Sequence, residues 1–143
     1  MSPDNYLLKD KAFIGTKALP NGAAPVYSDG FDLETPLVAT NVRDALLAGM
    51  ELLLTGPLMN TTEMPDGKTM IYDVQCDDDV AFGSPKTIAK EILKQTGAGG
   101  VGCALATARF RLPTDCQRYV RIVATGSGAG DATTAALTEE VVF

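Results

Sequence analysis

The stretch KTMIYDVQC, Lys68 to Cys76, alternates. Met70, Tyr72, Val74 and Cys76 fall on one side of an extended chain, and Thr69, Ile71, Asp73 and Gln75 on the other. Successive side chains of a strand point to opposite faces, so this segment predicts a strand with one face in a core. It starts after the turn dipeptide Asp66-Gly67 and ends in three carboxylates, Asp77, Asp78 and Asp79. Similar short runs recur. Met50 to Leu54, apolar but for Glu51, lies between Gly49 and Gly56-Pro57, which predicts a buried strand. LATARFRLP sends Phe110 and Leu112 one way and Arg109 and Arg111 the other, and QRYVRIVATG and the segment from about Thr134 to Phe143 also read as strands. Pro113 to Gln117 is expected to turn one strand into the next.

Fourteen Gly and eight Pro punctuate these runs in 143 residues, a length that suits one domain. The resulting expectation is an all-β chain, an antiparallel β-sandwich or barrel. Residues 1–25 read as an N-terminal arm and 26–143 as the single domain. One segment points elsewhere. In GSPKTIAKEILKQTG, Ser84 fits a helix N-cap and Pro85 the first helical position; Ile88 and Ile92 are four apart, and Gly97 fits a terminator. Local rules predict a helix there.

Composition removes several kinds of chemistry. The chain has no His, so Ser-His-Asp and Cys-His centres and imidazole bases are excluded, and no enzyme activity is expected. Cys76, Cys103 and Cys116 lack any CxxC pairing and read as buried thiols. A net charge of −6 opposes binding to a phosphate backbone by bulk charge, so no nucleic-acid partner is expected. No apolar run reaches the roughly 18–20 residues that span a bilayer, and the first residues lack a signal-peptide pattern; no membrane partner and synthesis in the cytoplasm are expected.

The remaining motifs read as structural. Gly97 to Gly102, GAGGVG, matches GxGxxG but lacks the following helix and distal acid of a dinucleotide site, and reads as a flexible connection. Asp77 to Asp79 lack calcium-loop spacing and read as a hydrated strand end or a polar contact, with Phe82 and Pro85 anchoring the exit loop. Glu139 and Glu140 read as rim charges rather than an acid/base pair. Asn60-Thr61-Thr62 is a glycosylation sequon in a chain with no sign of secretion. Arg109, Arg111, Arg118 and Arg121 gather in what reads as one hairpin, either a solvated face or an interface with acidic groups. With Asp77 and Asp79 they form the candidate partner or subunit contacts. No metal and no cofactor are expected.

Taken together, VQCDDDVAFGSPKTIA, the Gly-rich connection, RFRLPTDCQRYVRIVATG and GDATTAALTEEVVF resemble the small capsid cement, or decoration, proteins of tailed bacteriophages, of the Bordetella phage cement protein type. The matching residues are Asp77 to Asp79, Phe82, Ser84, Pro85, Leu112, Pro113, Arg118, Tyr119 and Arg121, and the likeness is weaker before Tyr72. It implies an antiparallel jelly-roll that forms a homotrimer on the virion surface, where subunits of the major capsid protein meet. It also implies that Lys86 to Gln95 is a strand despite its helix signals. The alternative reading is a β-sandwich binding module for a glycan or peptide, for which the absence of Trp leaves few stacking platforms.

Overall fold

A computed structural model of the chain describes residues 14–33, 51–113 and 116–142. Nine strands are present among them: β1 (Ile14–Ala18), β2 (Val26–Tyr27), β3 (Phe31–Asp32), β4 (Glu51–Gly56), β5 (Thr69–Asp77), β6 (Lys86–Thr96), β7 (Ala106–Arg111), β8 (Tyr119–Gly126) and β9 (Ala136–Val142). They make two antiparallel sheets, one ordered β1-β9-β4-β7 and the other β2-β8-β5-β6, with β3 also on β8. With β2 and β3 taken as two pieces of one broken strand, this is the connectivity of a jelly roll. The described part of the 1–25 segment contributes β1, which pairs with β9 from Ile14↔Glu140 to Ala18↔Ala136.

The core lies between the inward faces. Leu52 and Leu54 of β4, Tyr72 and Val74 of β5, Val120, Ile122 and Ala124 of β8, and Leu137 and Val141 of β9 are all fully enclosed. The alternation of β5 therefore sorts as the sequence predicts. β4 alternates too, with Leu53 half-buried between Leu52 and Leu54, rather than being buried on both faces.

β6 is a strand, and its helix-like spacing has a physical source. From Tyr72 to Val74 is two positions on β5, yet their partners Leu93 and Ala89 are four apart on β6. The extra residues form a bulge in which Glu91 takes a positive φ of 54° and its N–H donates to Asp73 Oδ1 at 2.7 Å. Ile88 and Ala89, then Ile92 and Leu93, turn their apolar atoms to the core on either side of it. Spacing by four thus reports a bulged edge strand.

The Gly-rich run Gly97 to Gly102 is a tightly fitted turn rather than a loose connection. A Cβ on Gly97 would fall 2.3 Å from the Pro65 carbonyl oxygen, and one on Gly102 would overlap the Met59 carbonyl. Met59 and Cys103 exchange both backbone hydrogen bonds across this contact. The three cysteines are free and buried.

Two polar clusters, centred on Gln95 and on Ser28–Glu139, link the sheets. Tyr72 Oη donates to Gln95 Oε1 at 2.6 Å, and Gln95 Nε2 donates to the carbonyls of Pro57 and Ala104 at 2.9 and 3.0 Å. Burial pushes the Tyr72 phenol upward, with the Cys103 thiol adding to the shift, so it stays a neutral donor. At the other side Ser28 Oγ donates to Glu139 Oε2 at 3.0 Å and accepts from the Ile122 N–H at 2.9 Å.

Leu54→Ala is expected to cost about 2–5 kcal/mol, as a truncation in a closed core, whereas Arg111→Ala on the exposed side of β7 is expected to stay within about 0.5 kcal/mol. Urea denaturation of both variants checks the face assignment; comparable losses would contradict it.

Candidate functional site

The four sequence-predicted arginines do not share a hairpin. β7 and β8 belong to different sheets, so they form no hairpin; Thr114 and Asp115 of the predicted turn lie outside the described residues. Arg109 and Arg111 stand exposed on the first sheet, where Arg109 Nη1 reaches Glu51 at 3.1 Å. A pair this exposed contributes little. Arg118 and Arg121 belong to the second sheet. Arg118 makes a bidentate bond to Asp32, with Nε and Nη2 each 2.9 Å from a carboxylate oxygen.

Arg121 is the centre of a more elaborate arrangement. In β8, Val120, Ile122 and Ala124 point inward, which turns Tyr119, Arg121 and Val123 to the outer face. Tyr119 is therefore an outer-face residue, its ring centre 5.0 Å from the Arg118 guanidinium carbon. Phe110 lies on the core side but is only half-buried. The Arg121 guanidinium carbon sits 4.2 Å from the centre of the Tyr27 ring and 4.1 Å from that of Phe82. Its Nε and Nη2 both donate to Gln75 Oε1, at 3.0 and 2.8 Å; Gln75 is its partner in register on β5. Burial lowers the Arg121 pKa, while Tyr27 and Asp77 oppose the shift; an arginine remains charged under such a change.

The loop that supplies Phe82 is organised by the aspartates. Asp77 is buried, not hydrated: its Oδ1 accepts from the Asp79 N–H at 3.1 Å and its Oδ2 from the Ser84 N–H at 2.8 Å. These N–H donors hold its carboxyl below the usual range. Asp79 Oδ1 accepts from the Ala81 N–H, and Gln117 Nε2 donates to Asp78. Asp77 and Asp79 thus act as turn-builders, and among the described residues no group of three or more carboxylate or thiol side chains could hold a metal ion. Of the two expected anchors Pro85 is exposed and Phe82 is buried. Phe82 has a φ of 53°, a left-handed conformation that costs a bulky residue on the order of 1–3 kcal/mol and is held by its surroundings. Gly30 (φ +82°) completes the fit: a Cβ there would lie 2.8 Å from the Val120 carbonyl oxygen and 3.3 Å from the Phe82 ring. Sequence reading singled out Arg121 and Phe82 separately; Tyr27, Gln75 and Gly30 carried no signal that would join them.

Glu139 is not a rim charge. It faces inward between Gly15 and Leu54, and a Cβ on Gly15 would come within 3.4 Å of its Oε1. Burial raises its pKa to about 7, against the pull of the Ser28 hydrogen bond, with Asp29 adding to the rise.

Comparison with known proteins gives fold likeness alone. No protein-family model matches the chain, and no curated protein matches it. Among solved structures it is similar to the crystal structure of PirA, at 13% identity and a TM-score of 0.46 over 91% of this chain and 94% of that one. It is also similar to a carbohydrate-binding module from a family 9 glycoside hydrolase (Cel9A) of Ruminococcus flavefaciens FD-1. There the identity is 10% and the TM-score 0.41, over 92% of this chain and 99% of that one. A further likeness is to a family 16 carbohydrate-binding module, at 13% identity and a TM-score of 0.36, over 94% and 89% of the two chains.

Glu139 makes stability depend on pH in a defined direction. Its folded pKa of about 7 exceeds the ordinary 4.5, so its contribution is fully present below pH 4.5 and is lost as pH rises towards 7. The loss is on the order of 2–3 kcal/mol, and Glu139→Gln is expected to remove it. Asp77 and Asp131, whose pKa values are lowered, act in the opposite sense and only as pH falls through their range near and below 3.8. Denaturation midpoints between pH 4.5 and 7.5 for both proteins check this; an unchanged slope in Glu139→Gln would contradict it.

Proposed function

We propose that this chain is a non-catalytic β-sandwich binding module that engages a glycan or peptide through the outer face of its second sheet. The observation that carries the reading is the Arg121 guanidinium, held against two rings and Gln75 before any ligand arrives. Fixing such a donor in advance reduces the ordering cost of binding. Tyr27, 42% exposed, supplies the apolar surface beside it that sequence reading did not locate. Phe31 and Tyr72 are buried and Phe110 and Tyr119 half-buried, which leaves Tyr27 the most exposed ring among the described residues.

A second reading, a homotrimeric decoration protein that stabilises contacts between major capsid protein subunits on a phage head, is favoured by a different surface. Leu58, Val101 and Leu105 are exposed at 69%, 75% and 59% around the Met59–Cys103 bridge, at the start of β7. Exposed apolar groups at one end of the strand that carries the outward Arg109 and Arg111 suit a contact between protein subunits.

Immobilised glycan and peptide libraries, probed with the intact chain and with variants, separate the two surfaces. Tyr27→Ala and Arg121→Ala are expected to weaken binding by about tenfold or more, the equivalent of about 1.4 kcal/mol, and Arg109→Ala and Arg111→Ala to leave it unchanged. Binding lost in the second pair and kept in the first would contradict the module reading, and a trimeric mass in solution would then favour the decoration reading.

A further inference from the structure

We infer that the ligand of the Arg121 site is a carboxylate-bearing sugar, an oligosaccharide containing uronic acid residues; this rests on the binding-module reading above. A guanidinium offers five N–H donors in one plane. Gln75 Oε1 takes the Nε donor and one from Nη2, and the guanidinium carbon lies over both the Tyr27 and the Phe82 ring, 4.2 and 4.1 Å from their centres. The end of the fork remains, with the second Nη2 donor and both Nη1 donors, and none of these has an acceptor among the described residues. Two parallel N–H groups at that spacing match the two oxygens of a carboxylate.

The neighbouring charge does not occupy this edge. Asp77 gives both of its oxygens to backbone N–H groups of its own loop, so it lowers the local potential without bonding to Arg121. The net charge of −6 offers no long-range attraction for an anion, and salt screens such effects beyond roughly 8 Å. Recognition is therefore a short-range, geometric event at one fixed cation.

Sugar fits the surroundings better than peptide. The exposed part of the Tyr27 ring presents an apolar surface to sugar C–H groups. The Gln75 amide nitrogen, whose oxygen is committed to Arg121, has no acceptor among the described residues and can donate to a hydroxyl. An extended peptide would need an edge to pair with, but the edge beside Arg121 consists of two-residue strands, β2 and β3, interrupted at Ser28–Gly30.

The test uses calorimetric titration of the intact chain with hexasaccharides of galacturonate, alginate and hyaluronan, each paired with its carboxyl-reduced counterpart. A hexaglutamate peptide serves as the peptide arm. At least one acidic sugar is expected to bind about tenfold or more tightly than its reduced form, and Arg121→Lys, which keeps the charge but loses the fork, is expected to erase most of that ratio. The wild-type acid-to-reduced ratio stands by itself if Arg121→Lys does not fold. Equal binding of acidic and reduced sugars would overturn the carboxylate inference and leave the module reading intact. Preference for hexaglutamate would overturn the choice of sugar, and absence of binding to every probe, while Tyr27→Ala also leaves library binding unchanged, would overturn both readings.

Discussion

Gln95 closes one side of the sandwich. Its side chain comes from β6 in the second sheet, accepts from Tyr72 on β5, and donates to carbonyls that flank β4 and β7 of the first sheet. All of its hydrogen-bonding capacity towards the core is used, which is the condition for burying an amide without penalty. Gly56 is what makes the approach possible, since a Cβ there would lie 2.3 Å from Gln95 Oε1. Removal of one partner would strand buried polar atoms at a cost of about 1–3 kcal/mol. The two sheets are thus fixed at one separation on this side by a neutral clip and on the other by Ser28 and Glu139, which carries an ionisable group.

That fixed spacing reaches the outer face through β8. Ile122 occupies the core, its N–H is held by Ser28, and Arg121 immediately before it is turned outward with Gln75 opposite. The loop from Ser28 to Gly30 therefore serves both surfaces, placing Ser28 against Glu139 inside and Gly30 against Phe82 outside. Protonation of Glu139 and the geometry of Arg121 share one short connection between β2 and β3. The left-handed Phe82, seated by the Asp77 turn, supplies the second ring against Arg121.

Much of the sandwich was legible because β5 alternates cleanly and its core face is also its apolar face. β6 was misleading for a definable reason: a bulge opposite Asp73 spaces its apolar residues by four, the interval that one face of a helix would show, and Ser84-Pro85 imitates a helix start. Asp77 and Glu139 were read as solvated because charge in a sequence predicts exposure, whereas their partners, backbone N–H groups and Ser28, are set by tertiary contact. The arginines were grouped by proximity in sequence, but the chain crosses between sheets after Leu112 and divides them. Residues 1–13 and 34–50, including Gly49 and Met50 at the start of one predicted run, lie outside the described residues.

In the proposed binding module, ligand meets the protein at Arg121 on the second sheet. Side-chain NMR of the uniformly labelled chain, titrated with the tightest sugar found, addresses it directly. The Arg121 guanidinium, Gln75 amide and Tyr27 ring signals are expected to move together while those of Arg109 and Arg111 stay in place. Perturbations confined to Arg109, Arg111 and the region of Leu58 and Leu105, with Arg121 unmoved, would contradict it.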